Sequence, residues 1–207
     1  MKKTKNESAY DSIKNLILQE KLDSGKLFST SSLAERIDMG RAPVIDAIKR
    51  LENEGFVMIV PQQGIMIREM TVQEMRDINE TRLVLEPYII EHIAPGFTDS
   101  DAVEIERCID EMEKCALDNK YYDFIVMDHK MHMYIYDLYH NACMVEILGK
   151  LRDRIFTVGF KIVARRVGRL ATTVQEHKAI LEALKKRDPE MAAEAMRTHL
   201  TNGWKLI

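Results

Sequence analysis

STSSLAERIDMGRAPVIDAIKRLENEGFVMIVPQQGIMI, residues 29–67, changes its periodicity twice, and those changes set the fold of the N-terminal part. Ser31 to Ile37 reads as a short helix with Leu33, Ala34 and Ile37 facing inward. A turn through Asp38, Met39 and Gly40 leads into a second helix from about Arg41 to Glu54, whose inward face is Val44, Ala47, Ile48 and Leu51. Two short helices joined by a tight turn, the second with exposed basic residues, make a helix-turn-helix. After Gly55 the period becomes that of strands: FVMIV and IMI, with a turn at Pro61–Gly64. A hairpin in that position is a wing.

Upstream, Ile13, Leu16 and Ile17 follow a helical period between Tyr10 and Lys21, and Gly25 ends that segment. Downstream of Met70 the whole chain reads as helix. Thr71 and Glu74 form a capping-box pair opening a long helix to Ile93, which Pro87 is expected to bend or divide. Further helices are expected over about Asp101–Leu117, Tyr122–Leu138 and Met144–Leu170, the last broken or bent near Gly149 or Gly159. Thr173 and Glu176 read as a second capping box, and Asp188-Pro189 as the start of the final helix. The expected fold is mainly α: a winged helix-turn-helix over residues 1–68 and an all-helical bundle over 71–207.

Composition is that of an ordinary soluble chain, 46% hydrophobic and 30% charged. A net charge of -3 argues against nucleic acid wrapped around the whole surface but leaves room for one DNA-binding patch. Residues 1–70 carry 11 Lys/Arg against 10 Asp/Glu, and the remainder 19 against 23, a weak split of the sign expected for DNA reading in the first half. No apolar run approaches the roughly 20 residues a bilayer crossing needs, and the N-terminus lacks a secretion signal. Cys108 and Cys115, seven apart on an amphipathic run, are expected to pack as free thiols in a reducing, cytoplasmic setting.

A recognition helix brings its N-terminal residues to base edges in the major groove. Arg41 is the best candidate, since its guanidinium fork suits a guanine edge or a phosphate. Ile45, Lys49 and Arg50 lie further along, with Lys49 and Arg50 equally readable as a solvated face. Ser31 and Ser32, with Ser29 and Thr30, are candidate phosphate contacts; Gln62, Gln63 and Gly64 form the wing tip. A helix-turn-helix that binds only protein is the bland alternative.

In the bundle, Asp128 and His132 are four apart and share a helix face. Alone, such a pair is commonly a structural hydrogen bond. His177 and His199 fall on inward stripes of two further helices, and a buried imidazole must find a partner. An aspartate and three histidines make a nitrogen/oxygen set suited to zinc, nickel or manganese. Spacing alone does not bring them together.

The stretch with Leu33-Ala34, Arg41, Pro43-Val44, Leu51, Glu54-Gly55 and Gly64 resembles the winged helix of GntR-type transcriptional regulators over residues 9–68. The family has an arginine where this chain has Ile45, and charged residues where it has Ser31 and Ser32. The resemblance therefore carries the fold further than the operator sequence. Residues 71–203 resemble the FCD effector domain of the FadR-like subfamily. The segments matched are Arg82–Glu86, Glu176–Ile180 and Met196–Leu200.

That resemblance implies a divalent metal on Asp128, His132, His177 and His199 at the bottom of a cavity for a small organic acid. It also implies Arg82 facing the acid's carboxylate, and a homodimer on a double-stranded DNA operator. Arg82 reads equally well as an i,i+4 ion pair with Glu86. Arg152 and Tyr134, with Tyr122 and Phe124, are further candidates for lining the acid's site. Effector binding would then act through Arg68–Met70 on the spacing of two reading heads.

The expected function is thus a ligand-responsive transcriptional regulator, not an enzyme. The chain has no H-E-x-x-H, no glycine-rich phosphate loop and no nucleophile elbow. Glu176, the one candidate general base for a metal-dependent hydrolase, points about 100° away from His177. A regulator with a purely structural metal and no effector is the other alternative.

Overall fold

The computed structural model describes residues 4–19, 21–156 and 168–205, with the helical backbone of 157–164. The chain forms two compact units, Met1–Met70 and Thr71–Ile207.

In the first unit, α1 (Lys5–Leu18) starts at a Thr4–Glu7 capping box and buries Ala9, Tyr10, Ile13 and Ile17. Helices α2 (Thr30–Arg36) and α3 (Arg41–Asn53) form the helix-turn-helix, with Leu33, Val44, Ala47, Ile48 and Leu51 in the core. The wing has three strands rather than two. β2 (Val57–Val60) and β3 (Gly64–Ile67) make the expected hairpin, and β1 (Leu27–Phe28) pairs antiparallel on the other side of β3. A two-residue strand shows no alternation, so periodicity cannot reveal it. Gly64 is the residue that lets β1 approach. Its φ is +134°, and a Cβ there would stand 2.6 Å from the Phe28 carbonyl oxygen.

The second unit has six α-helices among the described residues: α4 (Val72–Ile93), α5 (Asp99–Leu117), α6 (Tyr121–Leu138), α7 (Ala142–Ala164), α8 (Arg169–Lys185) and α9 (Pro189–Trp204). Helix α4 packs along α9, and α5 lies against α6 and α8. Ile89, Ile90, Ile105, Ile109, Met112, Met131, Ile135, Ile180, Leu184 and Met196 fill the core.

Pro87 does not divide α4. Its missing N–H removes one helix bond, and the buried Ile89, Ile90 and Ile93 hold the next turn in place. Helix α7 is likewise unbroken at Gly149 and Gly159 and is described to Ala164, and Gly168, with a φ of 81°, precedes α8. Thr173 is therefore not a cap. It lies inside α8, and its hydroxyl donates to the Arg169 carbonyl at 3.0 Å, a mid-helix use of the same side chain. Asp188 does cap α9, accepting from the Met191 N–H at 3.0 Å. Cys108 and Cys115 are buried free thiols, and Cys143 is exposed. Among the described residues, no helix is long and apolar enough to cross a membrane.

Candidate metal centre and DNA-reading face

Helix α6 presents Asp128 and His132 one turn apart on one face, while α8 contributes His177 and α9 His199. Each of the four offers a ligand atom within 4.8 Å of the others. The Asp128 Oδ1 lies 3.3 Å from His177 Nε2 and 3.9 Å from His132 Nε2. The ring centroids of His177 and His199 are 4.6 Å apart, and those of His132 and His199 5.3 Å.

Carboxylates fix two of these rings from behind. Glu86 Oε2, on α4, is 2.9 Å from His132 Nδ1, and Glu176 Oε2, on α8, is 2.9 Å from His199 Nδ1. Each imidazole donates from Nδ1, so the lone pair is left on Nε2, facing the cluster. His132 Nε2 and both His177 nitrogens are buried without a hydrogen-bond partner. Buried polar atoms are rarely left so, and atoms with free lone pairs converging beside a carboxylate are what a divalent cation of the zinc class requires. The donor set fits the ion.

Every carboxylate in this region has its own arginine. Arg82 Nε donates to Glu86, Arg152 Nη2 to Asp128 Oδ2, and Arg169 makes a two-pronged contact with Glu176 at 2.9 and 3.0 Å. Asn202 adds a bond to Glu176 at 3.1 Å. Burial opposes ionisation of Asp128, but Arg152 and the nearby histidines hold its carboxyl well below the usual range. Glu86 is likewise lowered against its burial, by Arg82 and His132. Burial pushes His132 down to about 3 and His199 to about 4, so both are neutral and ready to ligate at ordinary pH.

The residues expected around an organic acid divide. Arg82 makes the ion pair with Glu86. Arg152 is buried on the Asp128 side of the cluster. Tyr134 lies two residues from His132, and its hydroxyl donates to Asp101 Oδ1 at 2.8 Å. Phe124 is buried in the core, and Tyr122 stacks edge-on against Phe156. Sequence reasoning passed over Glu86 as a support and over Tyr136, which continues the Asp128–His132 face. The stripe Ile78, Arg82, Glu86, Ile90 carries the missed signal: an opposite-charge pair on an otherwise apolar inward face.

In the first unit, Arg41, Ala42, Ile45 and Lys49 are exposed along α3. Arg50 is exposed as well, but its guanidinium is engaged: its Nε meets Glu54 Oε1 at 3.0 Å, and it sits 3.7 Å from the Tyr10 ring centre. Ser29 caps α2 by accepting from Ser32 N–H at 3.0 Å, and the Ser32 hydroxyl donates back to the Ser29 carbonyl. Thr30 and Ser31 are half-buried, while Gln62 and Gln63 are exposed at the wing turn, with Gln62 at φ 62°.

Two family models match the chain: "Bacterial regulatory proteins, gntR family" over residues 5–67 and "FCD domain" over residues 77–202. The chain belongs to the GntR family of bacterial transcriptional regulators, with an FCD effector domain in the FadR-like arrangement. It is a ligand-responsive, DNA-binding regulator. The uncharacterized regulator YdhC of Bacillus subtilis (strain 168) is 25% identical over 197 residues, 93% of this chain and 86% of that protein. The transcriptional repressor RspR of Escherichia coli (strain K12) is 23% identical over 199 residues, covering 94% and 85%. The solved structure of E. coli McbR/YncC shares the fold with a TM-score of 0.85 at 19% identity, covering 97% of this chain and 95% of that one.

Proposed function

We propose that the FCD unit holds a divalent metal on Asp128, His132, His177 and His199, and that a small organic acid completes the site and alters operator binding. The observation that carries this reading is the group of four ligand atoms within 4.8 Å of one another, two of their rings fixed from behind by Glu86 and Glu176. Zinc, nickel and manganese all accept such a set. When bound, the ion supplies a Lewis-acidic position at which an acid's carboxylate can attach. The protein's share is to orient the imidazoles, keep them neutral and hold Asp128 Oδ1 toward them.

DNA reading falls to the exposed side of α3, with Arg41 at its first turn, Ile45 and Lys49 following, and Gln62 and Gln63 at the wing. Two copies of the chain would supply two reading heads, whose separation selects the operator. Elemental analysis of the purified protein, beside His132→Ala and His177→Ala, tests the centre. Stoichiometric metal in the parent and its loss from both variants is the expected result; metal retained in both rejects the site.

A further inference from the structure

Along α3 the exposed side chains Arg41, Ile45 and Lys49 stand four residues apart, so they form one row, separate from the buried stripe Val44, Ala47, Ile48 and Leu51. Ile45 is 42% exposed, and the exposed Ala42 lies one turn before it. Neither completes the core, and a β-branched side chain slightly lowers helix propensity. The stability of α3 therefore does not account for an isoleucine at this position.

Cations flank it. Among the described residues Arg41 and Lys49 have no carboxylate partner, whereas the neighbouring Arg50 is held by Glu54. The adjoining acid, Asp46, is engaged by α1, its Oδ2 accepting from Asn6 Nδ2 at 3.1 Å. An apolar side chain between two uncommitted cations matches the major groove, where phosphates form the walls and base edges the floor. Of the bases, only thymine offers an apolar group on that edge, its C5-methyl. The other three present N7, O6 or exocyclic amino groups. Isoleucine pressed against those would strip them of water and return no hydrogen bond, which is costly. One side chain thus favours thymine and rejects the alternatives.

Resting on the assignment of α3 as the recognition helix, we propose that Ile45, with Ala42 beside it, reads the C5-methyl of a thymine in the operator half-site. Four residues rise about 6 Å along a helix, and stacked bases repeat every ~3.4 Å, so this thymine falls within about two base pairs of the Arg41 contact. Arg41 and Lys49 supply the charge, and Ile45 the selectivity at that base pair.

The test uses the purified full chain and a pool of DNA duplexes with a randomised central segment. Selection should enrich a half-site with thymine at one fixed position. In the selected duplex, deoxyuridine then replaces thymine at one position at a time, which removes the methyl alone. At the position under Ile45 binding should weaken about threefold to fivefold, the worth of one buried methyl group. Ile45→Ala, with thermal melting unchanged, should bind the thymine and deoxyuridine duplexes equally. Selection with Ile45→Arg should put guanine in place of that thymine. Deoxyuridine tolerated at every enriched thymine overturns the proposal, as does full methyl discrimination by Ile45→Ala. If Arg41→Ala meanwhile loses affinity, the failure is confined to Ile45. If Arg41→Ala and Ile45→Arg both select the parent sequence with the parent affinity, the assignment of α3 fails too. A pool from which nothing is enriched overturns both.

Discussion

Glu86 and His132, 46 residues apart in the chain, meet through a 2.9 Å contact between Oε2 and Nδ1, both side chains fully buried. The contact fixes the tautomer of His132 and so decides which nitrogen can ligate. Glu86→Gln keeps the shape and removes the charge. Metal affinity, measured by competition with a chromophoric chelator, should fall about 10–100-fold, the usual loss when a partner behind a ligating histidine is changed. Unchanged affinity would mean that Glu86 serves only to neutralise Arg82.

His177 is fully buried with both ring nitrogens unpartnered. Without an ion, only the 3.3 Å approach of Nε2 to Asp128 Oδ1 offsets the cost of desolvating the ring. His177→Leu should therefore make the metal-free protein more stable by about 1–3 kcal/mol in urea denaturation, while abolishing metal binding. A less stable metal-free variant would show that His177 is satisfied in some other way.

Acid should destabilise the metal-free bundle in a defined window. His132 and His199 stand at about 3 and about 4, below the ordinary 6.5, with burial the main cause. The unfolded chain then takes up protons before the folded one as pH falls. The stability this reflects is complete above about 6.5 and is lost progressively toward 4 and 3. Glu176, which burial would raise but which His199 and Arg169 hold at about 2, contributes in the same direction below 4.5. The urea midpoint of chelator-treated protein should be lower at pH 5 than at pH 7.5; a flat profile would contradict the assignment.

Arg41 and Arg50 should behave differently despite sharing α3. Arg41→Ala removes an exposed cation at the helix start and should weaken operator binding about 10–100-fold, the range expected for one good base contact. If its contact is to phosphate, the loss should instead be uniform across sequences, with a shallower salt dependence. Arg50 is held by Glu54 and the Tyr10 ring, so Arg50→Ala should lower thermal stability while leaving the salt dependence of DNA binding intact. The reverse pattern in a binding and melting series would reassign the reading face.

Much of the fold was legible because local rules and tertiary outcome agree. The inward stripe Val44, Ala47, Ile48, Leu51 is the buried face of α3, and the Thr71–Glu74 box does start α4. The errors arose where one local signal fits two contexts. Thr173 and Glu176 have capping-box spacing, yet a threonine can equally bond back to the preceding turn, and Glu176 is used by Arg169 and His199. Leu27–Phe28 is too short to carry a period, and its pairing with β3 depends on the space left at Gly64. Tyr134 and Tyr136 look alike in the sequence, but only Tyr136 continues the Asp128–His132 face.

Periodicity, caps and turn residues determined the helices, the wing and the inward orientation of the four candidate ligands, since these depend on neighbours within a few residues. Resemblance to a family suggested that the ligands meet. Which carboxylate stands behind which imidazole, that Arg152 balances Asp128 and Arg169 balances Glu176, and that Arg50 packs on the Tyr10 ring were decided by the tertiary structure alone. Those pairings join residues on different helices or select one rotamer among several. Their energies arise from desolvation and close contact, which exist only once the helices have packed.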